Sequence, residues 1–171
     1  GEGDTATAVL SRYTLRLLTA QQFQRTSTLI TALELLRMGA VKELGARPFS
    51  LGLWVGDSLT PNNFRAAHEK YAKALESNRP QNPFLLLACP GCATEIFPRA
   101  PVREGNEWRA SDFGIVSSQA GFHFRCPNTV CQFHGGLPMN VVDDALYAEP
   151  PSMLLGTIDK FAMLPWNDKA R

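Results

Sequence analysis

Four cysteines sit in two tight pairs, Cys89-Pro90-Gly91-Cys92 and Cys126-Pro127-Asn128-Thr129-Val130-Cys131, and no other feature of the 171 residues restricts the fold as strongly. A short turn between two cysteines puts two sulfurs on one edge of a tetrahedron. Two such turns complete the shell that zinc takes with four thiolates at about 2.3 Å. A prolyl or glycyl residue inside the turn helps bend the backbone so that both sulfurs face inward. The competing readings are buried core thiols, a disulfide, or a redox-active Cys89–Cys92 pair. A redox pair of that kind sits at a helix start after a strand, where the dipole lowers the thiol pKa, whereas no helical period follows Cys92.

Zinc is therefore the expected cofactor, with Cys89, Cys92, Cys126 and Cys131 as ligands. His123 and His134 flank the second pair, where either could replace a cysteine as ligand; with four cysteines available they are read as surface groups or as outer support for the ligands. Four thiolates leave no open position for water, which makes the site structural. The His-x-Glu element of a zinc deaminase does not occur near His68, His123 or His134. Metal binding of this type contributes on the order of 10 kcal/mol to the module it closes. The 33 residues between the pairs exceed the commonest zinc-ribbon spacing, so extra strands are expected around Glu107 to Val116.

The segments on either side of the cysteines alternate strand and helix patterns. Ala8-Val9-Leu10 with Tyr13 reads as a strand. Thr19 with Gln22 forms a capping-box start for a helix whose apolar residues Phe23, Leu29, Ile30, Leu33 and Leu36 recur at three- and four-residue steps and which stops at Gly39. Phe49 to Val55 reads as a strand ending at Gly56. Thr60-Pro61 opens a second helix, with Thr60 as cap, which continues until Asn78-Arg79-Pro80 breaks it. Pro138 to Val142 and Met153 to Thr157 read as strands, and Asp159 to Leu164 as a short helix. This order predicts a parallel α/β sheet interrupted by a zinc-ribbon-like insertion. Residues 1–83 and 137–171 form the two parts of the sheet domain, and 84–136 the insertion.

Composition narrows the functional classes. The chain is 44% hydrophobic and 19% charged, as in a globular protein, and no apolar run reaches the roughly 20 residues of a membrane span. The opening Gly1-Glu2-Gly3-Asp4-Thr5 lacks the features of a signal peptide, so a cytoplasmic location is expected, where thiols stay reduced. A net charge of +1 means that any nucleic-acid contact must come from local placement. No phosphate-cradling P-loop, nucleophile elbow or helical His-Glu-x-x-His element is present. Asp143-Asp144 after Asn140-Val141-Val142 superficially resembles a magnesium-holding acidic pair but has no P-loop partner.

Three segments, in order, resemble the first motor domain of superfamily-2 helicases, and more narrowly the helicase subunit of the DISARM anti-phage defence system. They are Leu10-Ser11-Arg12-Tyr13-Thr14-Leu15-Arg16-Leu17-Leu18-Thr19 with Gln21-Gln22-Phe23-Gln24-Arg25, then Gly52-Leu53-Trp54-Val55-Gly56, and finally Pro150 to Ala162 around Gly156-Thr157-Ile158-Asp159-Lys160. The resemblance implies a partial RecA-like sheet. It also implies that Thr14, Arg16, Thr157 and Lys160 touch the backbone of a DNA strand, at places where strands give way to helices and unpaired N–H groups meet phosphates. It further implies a parent enzyme that uses ATP and magnesium through motifs outside these residues, and a partner subunit in a defence complex. Trp166 is expected in a core or at an interface. The other reading is a non-enzymatic zinc-ribbon adaptor for a protein or a nucleic acid.

Overall fold

The computed structural model describes residues 6–13, 16–99 and 107–162, apart from the side chains of 16–19. Its frame is a four-stranded parallel sheet. Strand β1 (Val9–Tyr13) pairs with β6 (Met153–Thr157), Val9 opposite Met153 and Tyr13 opposite Thr157. Strand β2 (Leu51–Trp54) lies on the other side of β6, Leu51 opposite Met153 and Trp54 opposite Gly156. The two-residue β5 (Met139–Asn140) pairs with the far side of β2, which gives the order β1-β6-β2-β5. Parallel strands are joined by crossovers that cover the sheet, so a central strand has no solvent face. Strand β2 obeys this: Leu51, Gly52, Leu53 and Trp54 are all buried. Gly52 is the residue that makes room, because a Cβ there would lie 2.7 Å from the Pro151 side chain and 2.8 Å from those of Leu146 and Leu154.

Helix α1 (Arg16–Gly39) crosses from β1 to β2. It starts one turn before the predicted cap, so Thr19 lies within the helix. Its buried face also differs from the apolar stripe in the sequence. Phe23 and Ile30 are buried and Leu33 is half-buried, but Leu29 and Leu36 are 57% and 65% exposed. Ser27, Thr31, Glu34 and Arg37 turn inward instead. Most of these polar groups are satisfied. The Ser27 hydroxyl donates to the Phe23 carbonyl at 2.6 Å, and the Arg37 guanidinium forks onto Glu34 at 2.7 and 2.8 Å while donating to the Gly45 and Ala46 carbonyls. Glu34 also accepts the Phe49 N–H at 2.9 Å. The buried ion pair thus fastens the connection through the single-turn α2 (Val41–Leu44) to the start of β2.

Helix α3 (Phe64–Leu75) is capped by Asn63, whose side-chain oxygen accepts the Ala66 N–H at 2.8 Å, and not by Thr60 as the sequence predicts. Ala67, Tyr71 and Ala74 form its buried face. Among its described residues the inserted segment carries an antiparallel hairpin, β3 (Ile115–Ser118) and β4 (Gly121–Phe124), slightly beyond the span where extra strands are expected. Phe84, Phe97, Phe113, Phe122 and Phe124 pack there with ring centroids 4.7 to 6.4 Å apart. These rings belong to the same apolar cluster as Phe23 and Ile30 of α1 and Leu51 and Leu53 of β2. A short helix, α4 (Asp143–Ala148), which the sequence reading does not contain, links β5 to β6, and α5 (Ile158–Ala162) follows β6 directly. Among the described residues no helix is long and apolar enough to cross a membrane. Thr14 and Trp166 lie outside the described residues, as does the Arg16 side chain.

Candidate metal centre

The two cysteine turns come together. The four sulfurs all lie within 4.8 Å of one another, with Cys92 to Cys126 at 3.4 Å and Cys89 to Cys131 at 3.8 Å, and all four cysteines are free thiols. A tetrahedron with zinc–sulfur arms of about 2.3 Å has edges of about 3.8 Å, so the donor set suits a metal ion in both chemistry and size.

Local backbone explains the convergence. In the first turn the Cys89 N–H donates to the Thr94 carbonyl at 2.7 Å and the Ala93 N–H donates back to Cys89 at 2.8 Å. Closing this loop forces Ala93 to φ +61°, the left-handed region that glycine adopts freely and alanine does not. In the second turn the Cys131 N–H donates to Asn128 and the Cys126 N–H to Phe133, while the Asn128 side chain accepts the Val130 N–H. His134 Nδ1 lies 2.8 Å from the Cys126 carbonyl, which can only accept, so that nitrogen carries the proton and supports the second turn from outside. His123, on β4, is exposed, and its pKa is lowered by burial of part of the ring and by the charge of Arg125. Gly91 sits against Phe133 and Thr31: a Cβ there would be 3.0 Å from the phenyl ring and 3.6 Å from the Thr31 methyl group. The first turn therefore rests on α1, and Gln24 of α1 donates to the Leu85 carbonyl just upstream.

Exposure of the sulfurs is unequal. Cys89 and Cys126 are buried, Cys131 is half-buried and Cys92 is exposed. Burial pushes the Cys89 thiol up to about 11 and raises Cys126 further, Cys126 being lifted also by the Cys92 sulfur beside it. At Cys92 burial acts in the same direction, but hydrogen bonds from the Thr94 hydroxyl and backbone and from the Cys126 and Cys131 sulfurs outweigh it and bring the thiol down to about 6. Thr94, whose hydroxyl lies 3.2 Å from Cys92 Sγ, is the neighbour that the sequence reading does not single out. A hydroxyl two residues past a Cys-x-x-Cys turn is the signal that would have found it.

A second polar group lies at the carboxyl ends of β2 and β6. Lys160 donates to Asp143 at 2.6 Å and to the Asn62 side chain at 3.2 Å, and its ammonium stands 5.8 Å from the Trp54 ring centroid. Their side chains are 17% and 6% exposed. Burial raises the Asp143 carboxyl above its ordinary value, against the hydrogen bond and charge of Lys160. Asp144 accepts the Phe64 N–H at the start of α3. Both members of the acidic pair are thus engaged in holding elements together. Thr157, at the last position of β6, is buried.

Sheet and sulfur cluster together define an α/β protein of parallel-sheet type with a tetrathiol site inserted between its second and third sheet strands. No protein-family profile matches the chain. The chain is, however, similar to the DISARM protein DrmA of Bacillus paralicheniformis (strain ATCC 9945a / NCIMB 11709 / CD-2), 32% identical over 179 aligned positions. The alignment covers 98% of this chain but only 15% of the length of that protein. The similarity relates the chain to a DISARM protein along nearly its whole length.

Proposed function

We propose that this chain is a zinc-braced part of a DNA helicase or translocase acting in defence against phage. The observation that carries the reading is the similarity to the DISARM protein DrmA across 98% of the chain. In this reading the parallel sheet is part of a RecA-like motor domain, residues 84–136 are its inserted zinc module, and zinc is held by Cys89, Cys92, Cys126 and Cys131. The parent protein would bind ATP and magnesium through residues outside this segment and dock a partner subunit of its complex.

The contacts to DNA would be made where β1 gives way to α1, at Thr14 and Arg16, and where β6 gives way to α5, at the turn that Thr157 opens, its own side chain being buried. Lys160 is already held by Asp143 and Asn62 and so serves chiefly to stiffen the second of these junctions. The predicted measurement is fluorescence anisotropy of a labelled single-stranded DNA with the zinc-loaded chain. Weak binding that falls steeply between low and moderate salt is expected, because only a few phosphates are contacted, and Arg16→Ala should weaken it further. Undetectable or salt-insensitive binding would favour a non-enzymatic zinc-ribbon adaptor.

A further inference from the structure

We propose that the sulfur cluster is a peroxide-operated release device in which Cys92 is oxidised first and closes on Cys126, expelling the metal. The proposal rests on the zinc reading above. Three observations single out this pair. Cys92 is the exposed sulfur of the four, so a small oxidant in solution reaches it without any movement of the core. The Cys126 sulfur, 3.4 Å away, is nearer to it than the 3.8 Å that separates Cys89 from Cys131. And Cys126 is completely buried, so it meets an oxidised Cys92 before it meets the oxidant itself.

The chemistry balances with a hydroperoxide as oxidant. The Cys92 thiolate attacks one peroxide oxygen, the O–O bond breaks, hydroxide leaves, and Cys92 becomes a sulfenic acid. The Cys126 thiolate then attacks the Cys92 sulfur, a second hydroxide leaves, and an S–S bond joins the two turns. Two thiolates have lost two electrons and the peroxide has gained them. Zinc is left with Cys89 and Cys131 alone, half of the shell that a structural site requires, and departs. A thiol reductant returns both electrons and restores four ligands. The metal brace is thereby tied to the redox state of the compartment through one solvent-facing sulfur. Because the first turn rests on Thr31 of α1, release loosens the helix as well as the turn.

The test uses the full zinc-loaded chain, hydrogen peroxide, a chromophoric zinc indicator and peptide mapping by mass spectrometry without reduction. Stoichiometric release of zinc with a Cys92–Cys126 cross-link as the first oxidised species, reversed by dithiothreitol and added zinc, is the expected result. Zinc retained through the exposure, or released with a Cys89–Cys131 link or a Cys92 sulfinic acid as the first product, overturns the device while leaving the zinc reading intact. A chain that takes up no zinc before peroxide is added contradicts the zinc reading itself, and the device with it.

Discussion

Ala93 and Gly52 show how single residues carry the constraint of their neighbours. Ala93 holds φ +61° because the first cysteine turn must close on Thr94, and the strain of a left-handed alanine exceeds the entropy a glycine would lose there. Ala93→Gly is therefore expected to stabilise the zinc-loaded chain by about 0.5–1 kcal/mol in denaturant unfolding. Gly52→Ala should act the other way, costing about 1–3 kcal/mol, because the added methyl meets three packed side chains at once. The Asp143 carboxyl makes a pH prediction. Burial lifts its pKa in the folded chain above the ordinary carboxylate range, so the folded state holds its proton longer than the unfolded state does. That contribution to stability is complete below the unfolded value and is lost as pH climbs through the folded one. Unfolding of the wild type and of Asp143→Asn at matched pH should show the difference shifting towards the variant as pH rises from about 4. A difference that stays constant, or moves towards the wild type, would place the carboxyl in a solvated setting. The convergence of the four cysteines was legible because metal chemistry fixes residue type and spacing together. Thr94 was passed over because a threonine after a turn is common, and only its place two residues past the Cys-x-x-Cys turn sets it apart.

At the scale of elements, α1 is where sequence and structure diverge, and the reason is electrostatic. A stripe of leucines at helical spacing marks the buried face when polar residues face water. Here Glu34 and Arg37 neutralise each other and satisfy the Phe49 N–H and the Gly45 and Ala46 carbonyls, so a polar face can turn inward at low cost. Leu29 and Leu36 are left outside. Leu29→Gln and Leu36→Gln are accordingly expected to change the stability of this chain by no more than about 0.5 kcal/mol, whereas Ile30→Ala should cost about 2–5 kcal/mol. Thermal melts of the three variants separate the two faces, and equal losses at Leu29 and Ile30 would contradict the burial described. Strand β2 was readable from apolar residues alternating with Ser50 and Gly52 before Gly56, and β6 from the apolar Met153-Leu154-Leu155 after Pro150-Pro151. The short α4 was not, since six residues carry too little periodicity to register. The start of α3 was placed at Thr60-Pro61, a sound capping signal that lost to Asn63, where Asp144 also receives the first backbone N–H.

For the whole molecule, the decisive fact is that the inserted segment shares its core with the sheet: Cys89, Cys126, Phe84 and Phe124 lie in one apolar cluster with Phe23, Leu51 and Leu53. Stabilisation by a bound metal is then felt throughout, and removal of zinc by a chelator is expected to lower a single cooperative melting transition that includes the α1 signal. Circular dichroism that shows α1 melting at an unchanged temperature after chelation would separate module from sheet. The sheet type and the insertion were legible from the order of elements. Their shared core was not, because it is made of aromatic residues far apart in sequence, such as Phe23 and Phe133, that only the tertiary fold brings together. The central claim is that Cys89, Cys92, Cys126 and Cys131 hold one zinc ion, and native mass spectrometry of the purified chain tests it most directly. The account predicts a single bound zinc that is lost in Cys126→Ser. A metal-free wild type, or one whose zinc survives that substitution, would contradict it.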